Sequence, residues 1–178
     1  MSDLDRFRLL SRYNRWMNGK VYEAAARLSA EEVARDRGAF FGSILGTLNH
    51  LVVADTIWLK RLARHPGAAA LARNLDDLEM PAALDAVVET ELSALRRRRD
   101  HLDDLIDALT ESLVDDDLAV PLAYRRINGE ANHKRLGDVL AHLFNHQTHH
   151  RGQVTTLLTQ AGVDVGVTDL LVLLPDVA

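Results

Sequence analysis

Four of the chain's eight histidines stand within nine residues, His142-Leu-Phe-Asn-His146-Gln-Thr-His149-His150. Imidazoles repeated at this spacing are a divalent-metal signal, because residues i and i+4 of a helix lie about 6 Å apart on one face and two rings there can reach one ion. The helical H-E-x-x-H zinc motif uses the same logic, but the residues between His146 and His150 are Gln147-Thr148-His149. The glutamate that serves as general base in that motif has no counterpart here, so a thermolysin-like site is excluded. Eight helical residues rise about 12 Å, too far for His142 and His150 to share an ion. One pair must therefore be chosen. Leu136, Val139, Leu143, Val154 and Leu157 form an apolar stripe centred near Leu143. At about 100° per residue, His150 falls within about 20° of that centre and His146 within about 60°, while His142 and His149 lie about 100° or more away. His146 and His150 are the inward pair, and His142 and His149 flank it.

A lone histidine on an apolar face is more often a hydrogen-bonded core residue than a ligand. Two at ligand spacing that face one core favour a metal. His50, on a different helix in an apolar setting, could complete a three-histidine site, and burying three neutral imidazoles together without a shared cation would leave costly unpaired nitrogens. His65, His101 and His133 sit near helix ends or polar stretches and read as surface residues.

The elements that must position these side chains read as four long helices. Phe7, Leu10, Tyr13, Met17, Val21 and Ala24 recur at steps of three or four, predicting a first helix from Asp3 to about Leu28. Ser29 and Glu32 read as a capping box that opens a short helical turn. Ser43 is the expected N-cap of a second long helix, which carries His50 and stops near His65 before Pro66-Gly67. This helix is apolar on two sides, which predicts burial on both, one side against the core and one against a partner subunit. Residues 67 to 80 read as a linker, and Pro81 as the first position of a third helix running to about Leu113. The run Arg96 to Arg99 on that helix points around most of its circumference and reads as a solvated, salt-bridged face, with Asp100 and Asp103 four residues after Arg96 and Arg99. Leu118 to Ile127 reads as extended, with Asn128-Gly129 as the turn of a small hairpin or ordered loop. The last helix spans about Leu136 to Ala161 and stops at Gly162, a natural left-handed residue. Leu170 to Leu174 is an apolar tail expected to pack back. The fold class expected is all-α, a four-helix bundle with a short extended or hairpin insert before the last helix. Such bundles carry metal sites between facing helices.

At 178 residues the chain suits one domain, 1–178, able to bury a core without cross-links. It has no cysteine, which excludes disulfides, thiolate metal ligands and a cysteine nucleophile of its own. A net charge of −5 supplies no broad footprint for nucleic acid or anionic membrane. No apolar run approaches the roughly 20 residues of a membrane span, and the expectation is a soluble, cytoplasmic protein.

The residues around His50 (Thr47-Leu-Asn-His50-Leu, Ala54-Asp55, Trp58), with Asn145-His146 and His149-His150-Arg151-Gly152-Gln153, strongly resemble the DinB family. Tyr13-Asn14-Arg15-Trp16-Met17-Asn18 is similar to that family's N-terminal signature, so the resemblance runs from about Tyr13 to Gly162. It implies a four-helix bundle, often a homodimer, in which three histidines hold nickel, zinc, iron or manganese and leave positions for water. Carried over residue by residue, those ligands are His50, His146 and His150. The family takes its name from induction by DNA damage, which is no warrant for DNA binding. Its characterised members include thiol-dependent S-transferases and a mycothiol-dependent isomerase.

Two functions are compatible with these features. The first is a metal-dependent enzyme, of thiol S-transferase or hydrolase type, that acts on a small molecule and acidifies a water or thiol at open coordination positions. Because the chain has no cysteine, a low-molecular-weight thiol would arrive as cosubstrate. The second is a non-catalytic metal-binding stress-response or interaction protein that acts as a dimer. Asp55, about 140° from His50 around its helix, is a weak candidate for an outer partner or base. Arg151 reads as a surface residue rather than a substrate contact. Gly152 would admit a neighbouring helix, and Gln153 would hydrogen-bond near the site.

Overall fold

A computed structural model describes residues 2–75, 78–126 and 128–176. The first helix, α1 (Asp3–Ala25), starts on a capping box: the Ser2 hydroxyl accepts from the Asp5 amide while the Asp5 carboxylate accepts from the Ser2 amide. In α2 (Ala30–Ala34), Ser29 accepts from the Glu32 amide as expected, but the Glu32 carboxylate turns away to Arg35 and Arg37 and leaves the box half made. The third helix, α3 (Ile44–Leu62), begins on Ser43, whose hydroxyl accepts from the Gly46 amide at 2.9 Å.

Residues 67 to 75 and 78 to 80 are more ordered than a linker. A 3-10 turn at Pro66–Ala68 leads into α4 (Ala69–Ala72), and Leu71, Leu75 and Leu78 are buried; Asp76 and Asp77 lie outside the described residues. His65 is buried rather than exposed, because its Nδ1 accepts from the Gly67 amide and caps that turn.

The helix expected from Pro81 begins eleven residues later, as α5 (Leu92–Ser112). The intervening segment crosses α3 in irregular conformation. The Asn49 side chain accepts from the Val88 and Glu89 amides and donates to the Glu89 carbonyl, and Leu84 gives its carbonyl to His50. These long-range bonds satisfy backbone groups that a local helix would have paired, and the preference of Pro81 for a helix start is overridden.

After a 3-10 turn at Asp115–Ala119, β1 (Pro121–Arg125) and β2 (Ala131–Arg135) form an antiparallel hairpin in which Pro121 faces Arg135. The turn includes Gly129 at φ +85°, and Ile127, the expected end of the extended run, lies outside the described residues. The last helix, α6 (Leu136–Gln160), matches its expected span, and Gly162 takes the left-handed conformation at φ +80°. The tail from Leu170 to Leu173 touches α1 but leaves Leu171 and Val172 largely exposed, so it packs less closely than its composition suggests.

The described residues are thus mostly helical with one small two-stranded sheet. Among its long helices, α1 and α3 each pack against both α5 and α6. Leu48, Leu51, Leu102, Leu109, Leu140 and Val154 contribute to the shared core. Both apolar sides of α3 are covered by this chain itself, since α5, α6, α2, β1 and the segment before α5 surround it. The partner-facing side expected of that helix is therefore filled from within.

Candidate metal centre

His50 is carried by α3, and His146 and His150 by adjacent turns of α6, so the packing of α3 on α6 joins residues almost a hundred positions apart. One ring nitrogen from each histidine lies within 4.8 Å of the other two. His50 Nε2 and His146 Nε2 are 3.1 Å apart. The pair chosen from the apolar stripe is the pair that meets His50, while His142 stands beside it against Trp58 and His149 is exposed.

Neighbouring groups set the direction of these rings. The Leu84 carbonyl can only accept, so His50 Nδ1 donates to it at 2.8 Å and Nε2 keeps its lone pair toward the cluster. His150 Nδ1 lies 2.8 Å from Gln153 Oε1, which assigns the same tautomer and turns the His150 Nε2 lone pair inward. Ligating histidines are commonly oriented by such outer acceptors. Phe41 stacks on the His50 ring at 3.9 Å and meets His150 edge-on at 5.6 Å, shielding one side of the cluster.

Burial lowers the pKa of all three imidazoles. For His146, burial first and then the neighbouring histidines bring it to about 3. The rings are therefore neutral at physiological pH, the form that binds metal without proton competition. Convergent ring nitrogens, the oriented tautomers of His50 and His150, and neutral rings all fit a divalent ion. No Asp or Glu joins the group among the described residues. A cavity of about 640 Å³ opens on His50 and His146.

The residues beside the ligands behave differently from their expected roles. Gln147 and Arg151, each one position after a ligand, are buried in a closed polar ring that touches all four long helices. Asp55 accepts from Arg99 at 2.5 Å and from Gln147; Arg99 pairs with Asp103 at 3.0 Å. Asp103 accepts from Asn14 and Asn18, whose oxygens accept from Arg151, and Arg151 also donates to Gln147. Burial opposes the charge on Arg99, yet Asp103 and Asp55 outweigh it and hold the guanidinium above its ordinary range. Arg151 is therefore no surface residue, Arg99 is no part of a solvated face, and Asp55 bonds to this ring rather than to a ligand histidine. Of the other expected pairs, Arg96 to Asp100 forms at 4.0 Å on the exposed side. Gly152 faces outward with nothing close to its Cβ position, so it admits no helix. Gln153 does bond at the site. Phe41 and Leu84 went unread in the sequence because neither carries a periodic or motif signal; both reach the site from irregular segments.

Fold and site together define a class: helical proteins whose long helices bring three imidazoles together at the inner end of a pocket that two of them line. The chain belongs to the DinB family, whose model matches residues 1–175. It is 26% identical over 167 residues to the protein DinB of Bacillus subtilis, covering 90% of this chain and 88% of that one. Its fold is similar to the crystal structure of a DinB-like protein from Bacillus cereus, with TM-score 0.58 and 21% identity, covering 86% of this chain and 91% of the other. Among the described residues, no helix is long and apolar enough to cross a membrane.

Proposed function

We propose that the chain is a metal-dependent enzyme of the thiol S-transferase or hydrolase type, in which His50, His146 and His150 bind one divalent ion, nickel, zinc, iron or manganese. The observation that carries this reading is the conjunction of three convergent imidazoles with a cavity that His50 and His146 themselves line. A structural site is closed by four protein ligands, whereas a catalytic one keeps a position open to substrate. When bound, the ion supplies Lewis acidity to a water or a small thiol in the pocket. The chain's own groups do the rest. Leu84 and Gln153 keep the ligand lone pairs aimed inward, Phe41 keeps solvent off one side, and the apolar pocket wall selects and orients the substrate.

The proposal includes the wider architecture: one domain over 1–178, its long helices forming a four-helix bundle, working as a cytoplasmic homodimer. Because α3 is covered from within, the dimer would use another surface.

Elemental analysis of the purified protein tests the metal assignment, with about one divalent ion per chain expected. His146→Ala or His150→Ala should abolish it, and full occupancy in the double variant would refute the assignment. Turnover is tested by offering glutathione, bacillithiol or mycothiol with electrophilic acceptors, and hydrolysable esters, to metal-loaded and metal-free protein. Equal rates in both forms count against the enzymatic reading.

A further inference from the structure

The cavity at the histidines extends along α3 for three helical turns. Its walls are apolar, with Ala54, Ile57, Trp58 and Leu84 facing it, and its far end carries Arg61, Arg126 and Asn128. Arg61 follows His50 by eleven residues, which places it within about 20° of the same helix face and about 16 Å further along the axis.

The Arg61 guanidinium is held in place by rings rather than by an acid. It lies 4.8 Å from the centre of Trp58 and 5.2 Å from that of Tyr124. Among the described residues it forms no ion pair, and the like charge of Arg126 acts on it. Burial draws its pKa down, opposed by Tyr124 and assisted by Arg126. Arg126 pairs with Glu130 at 3.3 Å, but both are more than half exposed, so that pairing is weak and exchangeable. A neighbouring hollow continues from Arg61 and Arg126 to Lys134 and Asp138. Lys60, Arg64 and Arg125 line a further hollow that shares Arg61 and Arg126, so cations outnumber Glu130 and Asp138 at this end.

We propose that the far end of this pocket is a carboxylate subsite: a substrate with an apolar body places its carboxylate between Arg61 and Arg126 while its reacting end lies at the three histidines. Which end reacts rests on the metal reading above; the anion site itself does not. Two guanidiniums on the wall of one pocket, one of them fixed by stacking, match a planar carboxylate through paired N–H donors. The apolar wall between the two ends accounts for the body of the molecule, and ligand pockets are commonly built this way, with few polar groups fixing orientation.

Calorimetric titration of the full chain with octanoate, octanamide and octyl phosphate tests the subsite. Metal is first removed with chelator, so that no carboxylate is counted for binding an ion, and metal content is measured on the untreated half of each preparation. Octanoate should bind about tenfold or more tighter than octanamide. Arg61→Gln and Arg126→Gln should each shrink that preference severalfold, and the double variant should erase it while octanamide affinity stays unchanged. Arg61→Lys should keep more of the preference than Arg61→Gln, which guards against a merely structural effect of the stacked ring pair. Equal affinity for octanoate and octanamide, or a preference that survives the double variant, would overturn the proposal. Tighter binding of octyl phosphate than octanoate would overturn the choice of carboxylate. A preparation that holds no metal yet shows the arginine-dependent preference leaves the subsite standing and removes the metal reading, and the reverse pattern separates them the other way.

Discussion

Replacing Arg99 with Met should be the most damaging conservative-volume change in the chain. Its side chain is 2% exposed and pairs with Asp55 and Asp103, themselves 0% and 3% exposed. The ring carries two cations, Arg99 and Arg151, against two anions, Asp55 and Asp103, so it is neutral as built. Removing Arg99 strands two buried carboxylates facing a single remaining guanidinium. Breaking one side of a buried pair costs about 3–5 kcal/mol. At about 2–4 °C per kcal/mol for a domain of this size, the melting temperature should fall by about 6–20 °C. Circular dichroism melts and urea titrations at neutral pH measure both quantities. Adding Asp55→Asn to Arg99→Met should recover a large part of the loss, because one anion, Asp103, then faces the one remaining cation, Arg151, and the ring is neutral again. A loss below about 1 kcal/mol for Arg99→Met, or no recovery in the double variant, would show that the ring does not hold the four helices together in this way. Metal content followed in the same variants should fall with stability, since Gln147 and Arg151 adjoin both α6 ligands in sequence.

Gln153→Ala should leave the fold intact and weaken metal affinity by about 10–100-fold, because the acceptor that orients His150 Nδ1 is lost; competition with a chromophoric chelator reads this, and unchanged affinity would remove Gln153 from the site. The metal-free chain should lose stability as pH falls. A histidine with a lowered folded pKa binds fewer protons folded than unfolded, so its destabilisation is absent above about 6.5 and grows as pH drops toward about 3, the value for His146. Urea midpoints compared between the parent and His146→Gln should diverge across that window, and parallel profiles would contradict the burial argument.

Local signals read well where a group's partners lie on its own helix. The α6 span, its stop at Gly162 and the choice of His146 and His150 over His142 and His149 all follow from helical period and chain stereochemistry, which act over a few residues. The Ser43 cap and the pairing of Arg96 with Asp100 are of the same kind. Where partners are remote, the same reasoning failed for a consistent cause. Pro81 lost its helix because Asn49 and His50 capture the backbone that follows it. Arg99 and Arg151 looked solvated because their partners, Asp55 and Asn14, come from other helices.

The sequence alone thus determined the helical character, the inward histidine pair on α6 and the candidacy of His50, to which the likeness of its motifs to a known family independently led. Only the tertiary structure decided that the three rings converge, which acceptors orient them, what closes them from solvent and where the pocket leads. Those outcomes depend on the packing of α3 against α6 and on two irregular segments, around Phe41 and Leu84, that carry no period to read. Hydrophobic burial chooses such contacts among elements far apart in sequence, and no local rule of spacing encodes them.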